Sequence, residues 1–315
     1  MNRRTKMFLQ RSFYFFHRFM SRRGVIVLPA HYYSCVPEIR ELERTQHLWR
    51  KRSEMPGVNC DVDDQVAALR RICAPYQNEY AGNKTYVQAT AAGSGPGYGY
   101  VEAQALHGFI RHHKPRRVVE VGSGVSTRCS LAALELNRRE TGQLASMTCI
   151  VPFPFRWLRD TTEVTLVPTR VQEVAMEVFV RLGENDLLFI DSSHMVKPGS
   201  DVNFLVLEVL PRLRPGVLVH VHDIFFPFDY PKDLMRTFLY AGGENSLLRA
   251  FLINNAQARI IFAMSMLHYD RPEVLKEIFP EYQRQGGDDG LYEAHYRPFD
   301  VPPGHFPSSL YMQIH

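Results

Sequence analysis

Two short segments of the chain combine carboxylates with imidazoles. Asp191-Ser192-Ser193-His194 follows the apolar run Leu187–Ile190, and His220-Val221-His222-Asp223 ends a second apolar run that begins near Gly216. Carboxylates and imidazoles together can move protons or bind a metal ion. If both apolar runs are parallel strands, their carboxyl ends meet at one edge of a sheet, beside the crevice where such sheets bind ligands.

A structural role is the alternative for each of these residues. Histidines near strand ends are often hydrogen-bonded core residues, which is our expectation for His220, and Asp223 could cap a helix. The convergence of two acids and several imidazoles from neighbouring strands favours a functional site over packing alone.

A second candidate site is the glycine turn Glu120-Val121-Gly122-Ser123-Gly124. It leads from a strand-like segment into a helix that Ser126 or Thr127 would cap. Glycines let the backbone approach a ligand, and a helix N-terminus presents unpaired N–H groups. A carboxylate such as Glu120 at the end of a buried strand is costly without polar partners, so we expect it to have some.

This turn is not a dinucleotide fingerprint, because Thr127 stands where the third glycine belongs. The chain also has no P-loop sequence. A Gly-x-Gly pair alone could still be a simple tight turn between a strand and a helix.

The elements that must position these residues alternate between strand and helix. Continuous apolar strands between amphipathic helices are typical of a parallel sheet covered on both faces. We predict helices upstream at 38–54 and 62–76. The predicted strands are 117–121, 146–151, 164–168, 187–191, 216–222, 259–264 and 309–314, and the helices among them are 101–112, 127–139, 171–182, 201–210 and 247–254.

The turn and the strand pattern together resemble the class I S-adenosylmethionine-dependent methyltransferases. The resemblance rests on Glu120-x-Gly-x-Gly and on Leu210-Pro211-Arg212-Leu213-Arg214-Pro215-Gly216-Val217 before the fifth strand, and it covers roughly residues 95–315. It implies an α/β fold with a Rossmann-like, doubly wound, mostly parallel sheet, preceded by a helical N-terminal extension. We therefore expect a basic aromatic segment at 1–24, the extension at 25–94 and a catalytic domain at 95–315.

The same resemblance implies S-adenosylmethionine as the cofactor. Glu120, Gly122 and Gly124 would hold its methionine end, Asp191 would lie under the sulfonium, and Gln172 and Glu173 would lie near the adenine. The full set of implied cofactor-binding residues is Glu120, Gly122, Gly124, Ser126, Thr127, Gln172, Glu173 and Asp191.

The carboxylate and imidazole segments resemble the metal-dependent sugar O-methyltransferases of the macrocin and mycinamicin type. This implies that Asp191, His222 and Asp223 bind a divalent metal and that His194 is the general base, with Asp191 also catalytic. Those relatives carry an acid where this chain has His222. Mg, Mn and Fe are the candidate metals, and the mixed nitrogen and oxygen ligands favour Mn, Fe or Zn over Mg. The expected reaction is methylation of a hydroxyl on a small-molecule or glycosidic acceptor.

One position departs from the family. Its members usually place an acid at the end of the second strand to bind the ribose hydroxyls, and this chain has Val151 there. Losing that acceptor should weaken cofactor binding by about 1.5–3 kcal/mol unless another group substitutes.

Two other classes of function stay open. The protein could be a non-catalytic binding protein on a methyltransferase scaffold, or a non-haem iron oxygenase that uses His194, His222 and one carboxylate.

Composition indicates the general class of protein and its cellular compartment. The chain has 315 residues, of which 45% are hydrophobic and 22% charged, as in an ordinary globular protein. Its five cysteines are scattered without a CxxC pair. They favour a reducing compartment, and we expect a cytoplasmic protein.

The amino terminus is the only strongly cationic part of the chain. The first 37 residues contain no acid, while seven Lys and Arg lie within the first 23, leaving −3 of the net charge of +4 to the rest. Nucleic acid is therefore not an expected partner.

Residues 3–23 form an amphipathic helical pattern. This helix could lie on an anionic membrane or serve as an organelle transit peptide. It could also pack on its own protein or on a second subunit of a homo-oligomer, and packing is the interpretation that we slightly favour. On a helical wheel, the two opposed stripes are Arg4, Arg11, Arg18 and Arg22 against Leu9, Phe13, Phe16 and Met20.

Overall fold

The computed structural model describes residues 3–29, 34, 36, 38–94, 97–229, 242–283 and 306–315. The chain divides into two compact units, 1–49 and 50–315. The boundaries at 24/25 and 94/95 that we expect from the sequence stay a prediction. No helix in the described ranges is long and apolar enough to cross a membrane.

The second unit is built on one seven-stranded sheet. The first unit contributes only helices among its described residues: α1 (Arg3–Ser21), α2 (Ile39–Arg44) and α3 (Gln46–Trp49). The strands are β1 (Arg117–Val121), β2 (Ser146–Ile150), β3 (Thr165–Val167), β4 (Leu187–Ile190), β5 (Leu218–Val221), β6 (Ala258–Ala263) and β7 (Leu310–Ile314). The helices of the second unit are α4 (Val62–Cys73), α5 (Gln77–Tyr80), α6 (Lys84–Ala91), α7 (Tyr100–His113), α8 (Val125–Thr141), α9 (Arg156–Asp160), α10 (Glu177–Val180), α11 (Asp201–Phe204), α12 (Glu244–Leu252), α13 (Met264–Asp270) and α14 (Pro272–Ile278).

The strand order is β3-β2-β1-β4-β5-β7-β6. All neighbours from β3 to β5 are parallel, and β7 is antiparallel to both β5 and β6. The order runs outward from β1 in both directions, as in a doubly wound sheet. The predicted Rossmann-like, mostly parallel α/β fold of the class I methyltransferase type is thereby confirmed.

Alternating side chains supply the two cores that hold helices on this sheet. In β4, Leu187 and Phe189 enter the core on one face, while Leu188 and Ile190 enter the core on the other. All four are buried, which is why the strand reads as a continuous apolar run. Helices α4, α7 and α8 cover the first face, and the segment 202–210 with α12 covers the second.

Helix α7 matters most for the site because it brings Glu102 beneath the sheet edge. Its first turn closes when Glu102 accepts a hydrogen bond from the backbone N–H of Gly99 at 3.1 Å. Gly108 in the same helix lies so close to α4 that a Cβ there would be 2.9 Å from the Cα of Cys73. This close contact packs the two helices against each other.

Two predicted helices are broken in the structure. The segment 38–54 contains only α2 and α3, and residues 50–61 are irregular. The segment 171–182 forms a 3₁₀ turn, Val171–Glu173, and the one-turn α10. β-Branched residues such as Val174, whose backbone is extended with ψ 140°, are poor helix formers and explain the second interruption.

Candidate active site

The parallel register aligns the ends of three central strands. Val121, Ile190 and Val221 are register partners across β1, β4 and β5. Beyond them, the N–H of Asp191 donates to Val121 O at 2.9 Å and the N–H of His222 donates to Ile190 O at 3.0 Å. The predicted candidate residues therefore emerge side by side at one edge of the sheet.

The glycine turn after β1 is shaped by a close approach of two backbones. Gly122 has a φ of +107°, and a Cβ there would clash with the carbonyl oxygen of Asp191. Only glycine fits this position. At Gly124 a Cβ would lie 3.1 Å from Ser94 O. Both glycines therefore allow the backbone of neighbouring segments to pack directly against this turn.

Glu120 holds the turn to the following helix from inside the protein. It is fully buried, and its two oxygens accept from Ser126 Oγ at 2.6 Å and Thr127 Oγ1 at 2.7 Å. Thr127 Oγ1 in turn accepts from the N–H of Gly124 at 3.0 Å. These three residues, predicted to bind the cofactor, thus make bonds to one another that fix the shape of the turn.

Burial raises the pKa of Glu120 to about 7, against the hydrogen bonds from Ser126 and Thr127, which lower it. The side chain therefore titrates near neutral pH, well above an exposed glutamate.

His194 lies among three carboxylates. Its Nδ1 is 2.6 Å from Glu244 Oε2, and its Nε2 is 3.5 Å from both Asp191 Oδ1 and Asp223 Oδ2. The side chains of His194, Asp191 and Asp223 are 17%, 25% and 29% exposed, whereas that of Glu244 is 3% exposed. Glu244 therefore supports the imidazole from behind, and the Nε2 side faces the accessible edge.

The backbone around His194 explains why it meets Glu244. Ser193 donates from its N–H and Oγ to the Asp201 carboxylate, at 2.8 and 2.6 Å. Met195 forms a β-bridge with Gly243, the residue before Glu244. His194 itself has a φ of +58°, a conformation that costs a non-glycine residue about 1–3 kcal/mol. Asp223 shares this φ, so both residues are held in strained backbone at the site.

His222 lies deeper and bridges two acids. Its Nδ1 is 3.3 Å from Asp191 Oδ1, and its Nε2 is 3.1 Å from Glu102 Oε2. The second oxygen of Glu102 accepts from the N–H of Ser308 at 2.9 Å and from Ser309 Oγ at 2.7 Å. His222 and Glu102 are both buried, so this pair anchors Asp191 from inside the protein.

These contacts shift the pKa values of the site in opposite directions. Burial lowers the pKa of His194, but hydrogen bonds to Asp191 and Glu244 outweigh it and raise the pKa well above 6.5. Burial likewise lowers the pKa of His222, and the charges of Glu102, Asp223 and Asp191 raise it well above 6.5. Burial raises the pKa of Asp191, but the two rings bring it below its usual range. The site therefore holds imidazolium ions among carboxylates.

His220 is a core residue, as expected. Its ring stacks on Tyr311 with centroids 4.2 Å apart, and Nε2 lies 3.0 Å from Tyr98 Oη. Burial lowers its pKa to about 3, so it is neutral.

Sequence reasoning missed Glu102 and Glu244. Glu102 is the third residue of α7 after a glycine-rich stretch, and Glu244 opens α12 after Gly242-Gly243. Both positions look like ordinary helix starts, where acids are common. Their burial, at 0% and 3% exposure, is the signal that sets them apart, and it is visible only in the fold.

Three other predicted positions lie apart from the imidazole cluster. Gln172 and Glu173 are in the 3₁₀ turn after β3, where Gln172 Nε2 donates to Gly199 O at 2.7 Å and Glu173 accepts from Thr169 Oγ1 at 2.6 Å. Val151 directly follows the last residue of β2. Val151 therefore lies at the end of the second strand, where the sequence analysis places it.

The predicted metal set finds no support. The described part of the chain holds no group of three or more His, Cys, Asp or Glu side chains arranged to hold a metal ion. His222 directs one ring nitrogen to Asp191 and the other to Glu102, while Asp191 and Asp223 face the ring of His194. In the structure, Asp191, His222 and Asp223 are instead engaged in ion pairs with neighbouring side chains. The mechanism below therefore involves no metal ion.

Comparison with known proteins relates this edge of the sheet to a family of enzymes. Residues 119–224 match a family model described as a methyltransferase domain. This segment, about a third of the chain, is similar to methyltransferase domains. It contains the glycine turn, Asp191, His194, His222 and Asp223. S-adenosylmethionine is the cofactor expected of such a domain.

Three other similar proteins carry less information about function. An uncharacterized protein of Archaeoglobus fulgidus is 28% identical over 176 residues, which cover 51% of this chain and 76% of that protein. A Thermobifida fusca protein, provisionally named a methyltransferase, is 12% identical with a TM-score of 0.33, covering 83% of this chain and 96% of its own. The plantazolicin methyltransferase BamL, solved with a triazolic desmethylPZN analogue and S-adenosylhomocysteine, is 9% identical with a TM-score of 0.29, covering 81% of this chain and 98% of its own. At scores this low, neither structure is evidence about this protein.

The turn after β1 fits the expected cofactor. Ser123 Oγ, between the two glycines, is buried and has no hydrogen-bond partner among the residues that the structure describes. A buried hydroxyl without a partner is unfavourable, and a polar ligand lying against the turn would satisfy it.

The buried Glu120 predicts a specific dependence of stability on pH. An unfolded glutamate titrates near pH 4.5 and folded Glu120 near 7, so the folded state binds more protons between these values. Stability should fall as pH rises through this window, by about 3 kcal/mol in total. In Glu120→Gln this fall should disappear, as measured by urea unfolding between pH 4.5 and 8. Glu184→Gln, at an exposed carboxyl, is the matched control, and an unchanged pH dependence in Glu120→Gln would contradict the assignment.

Proposed function

We propose that this protein transfers a methyl group from S-adenosylmethionine to a hydroxyl group of a small-molecule or glycosidic acceptor. One observation carries the proposal: the segment that matches a methyltransferase domain places a base, His194, at the same strand edge as the glycine turn. Hydroxyl methylation needs these two features together, a site for the methyl donor and a group that removes the hydroxyl proton.

The turn Gly122–Gly124 and the first turn of α8 are the residues that we expect to hold the methionine end of the cofactor. When bound, S-adenosylmethionine supplies a methyl group on a positively charged sulfur. Gly122 lets the turn pack against Asp191, Ser123 offers a hydroxyl that has no partner among the described residues, and Glu120 acts indirectly by fixing Ser126 and Thr127. Asp191 leaves the sheet beside this turn, and a carboxylate there favours a cationic ligand.

His194 is the proposed general base. Glu244 accepts a hydrogen bond at Nδ1, which fixes the ring and leaves Nε2 to receive the proton of an acceptor hydroxyl. Asp191 and Asp223 stabilise the imidazolium that results. These carboxylates raise the pKa of His194. The neutral ring, which is the active base, therefore becomes abundant only at higher pH than for an exposed histidine.

Positioning supplies the larger part of the proposed catalysis. Orienting two bound reactants can lower a barrier by about 7–11 kcal/mol, while a general base contributes roughly 10²–10⁴-fold. The strained backbone at His194 and Asp223 and the buried pair of Glu102 and His222 hold the polar groups of this edge in place.

The experiment for this proposal is a screen of hydroxyl-bearing acceptors for release of S-adenosylhomocysteine. We expect product with one class of acceptor and detectable calorimetric binding of S-adenosylmethionine. Folded protein that fails to bind the cofactor at millimolar concentration would overturn the proposal. Bound iron with oxygen consumption would then indicate the oxygenase alternative, and neither iron nor turnover would indicate a binding protein.

Removing the base should separate catalysis from cofactor binding. We expect His194→Ala to lower kcat by about 10²–10⁴-fold while the affinity for S-adenosylmethionine stays the same. His112→Ala, at the far end of α7, is the matched control. Unchanged turnover in His194→Ala would remove this residue from the mechanism.

The positioning role of Glu244 predicts a shift in the pH profile. Glu244→Gln removes one of the three carboxylates that raise the pKa of His194. The rising limb of kcat against pH should therefore move to lower pH, with kcat reduced and KM for the cofactor unchanged. A lower kcat with the limb in its original place would mean that Glu244 is only structural.

An acid in place of Val151 should raise the affinity for S-adenosylmethionine. Val151→Glu restores an acid at the end of β2, and we expect calorimetry to show about tenfold tighter binding of S-adenosylmethionine. Val164→Glu places the same change just before β3, away from the carboxyl edge of the sheet, and serves as the control. Equal affinity in Val151→Glu and the unmodified protein would show that the ribose is bound elsewhere.

A further inference from the structure

Helix α1 exposes an aromatic surface. It spans Arg3–Ser21 and contains five phenylalanines and one tyrosine. Phe8 and Phe15 are 69% and 66% exposed, and Phe16, Phe19 and Leu9 are each about half exposed. The other described residues of 1–49 therefore leave these rings open to solvent.

Seven apolar residues of α1 share one side of the helix, whereas the exposed Met7 and Tyr14 lie on the other side. At 3.6 residues per turn, positions 8, 9, 13, 15, 16, 19 and 20 fall within slightly less than half of the circumference. Arg11 and Arg18 lie outside this arc, beside Phe15 and opposite Leu9. A helix with aromatic residues on one side and basic residues on the other is typical of segments that lie in a membrane interface.

The apolar surface continues past the end of the helix. Val25, Ile26 and Leu28 are all exposed, Ile26 at 73%. His17 Nδ1 lies 2.7 Å from the carbonyl oxygen of Val27, so this segment is held to α1. The helix and residues 25–28 can therefore contact one surface together.

Charge identifies the chemistry of that surface. Seven basic residues and no acid lie within the first 23 residues. A second copy of α1 would bring like charges together, whereas an anionic lipid surface attracts every one of them. No described helix can cross a membrane, so contact with lipid would be peripheral.

We propose that α1 and residues 25–28 attach this protein to the surface of an anionic phospholipid bilayer. The aromatic side enters the boundary between head groups and acyl chains, and the basic side faces the anionic head groups. This attachment is independent of the reaction proposed above.

Co-sedimentation of the full chain with vesicles tests the proposal. Vesicles of phosphatidylcholine with 30% phosphatidylglycerol should carry down most of the protein, and pure phosphatidylcholine at least tenfold less. Raising the salt to about 1 M shortens the screening length to about 3 Å and should release much of the bound protein.

Two double variants separate the contributions. Phe8→Asp with Phe15→Asp removes apolar contact, and Arg11→Glu with Arg18→Glu reverses charge; each should reduce binding at least tenfold. Leu144→Asp, at a 78% exposed apolar residue of the second unit, controls for the first variant. Arg181→Glu with Arg214→Glu, both exposed, matches the charge change of the second. Circular dichroism confirms that each variant is folded.

The alternatives give different results. Equal sedimentation with both kinds of vesicle, or loss of binding in the control variants as well, would overturn the proposal. If sedimentation velocity instead shows a dimer that Phe8→Asp with Phe15→Asp converts to a monomer, and vesicles do not bind, a second copy covers this face and the proposal is wrong.

Discussion

The buried carboxylate of Glu120 is the interaction on which the proposed cofactor site depends. It lies at the point where β1 gives way to the glycine turn, and it binds the hydroxyls of Ser126 and Thr127 at the start of α8. Through Thr127 it also fixes the N–H of Gly124. An unpartnered carboxylate in this position would be strongly destabilising, so the strand, the turn and the helix must keep this geometry together. The backbone at Gly122 can then approach Asp191 closely enough to exclude any side chain.

A second network extends from this edge into the protein. Glu102 from α7 holds His222 at the end of β5, His222 holds Asp191 at the end of β4, and Asp191 faces His194. Glu244 from α12 completes the series behind His194. Buried charges are tolerated only where each has a partner, and here acids and imidazoles alternate. The network makes His194 both basic and fixed in orientation.

The sequence predicts the sheet and one side of the site well, for a physical reason. Parallel strands place their carboxyl ends together, so Gly122, Asp191 and His222 could be assigned to one edge from strand order alone. Glu102 and Glu244 could not, because they reach their histidines across 120 and 50 residues of chain from helices whose placement no local pattern reveals. The metal set suggested for Asp191, His222 and Asp223 gains no support among the described residues, where these side chains contact one another, His194 and Glu102.

The central claim is that the glycine turn after β1 binds S-adenosylmethionine or its product. A crystal structure of the protein grown with S-adenosylhomocysteine tests it most directly. We predict that the amino-acid end of the ligand lies against Gly122–Gly124, with the hydroxyl of Ser123 in hydrogen-bonding distance. Density for the ligand elsewhere on the sheet, or a turn that stays empty at saturating ligand, would contradict the account.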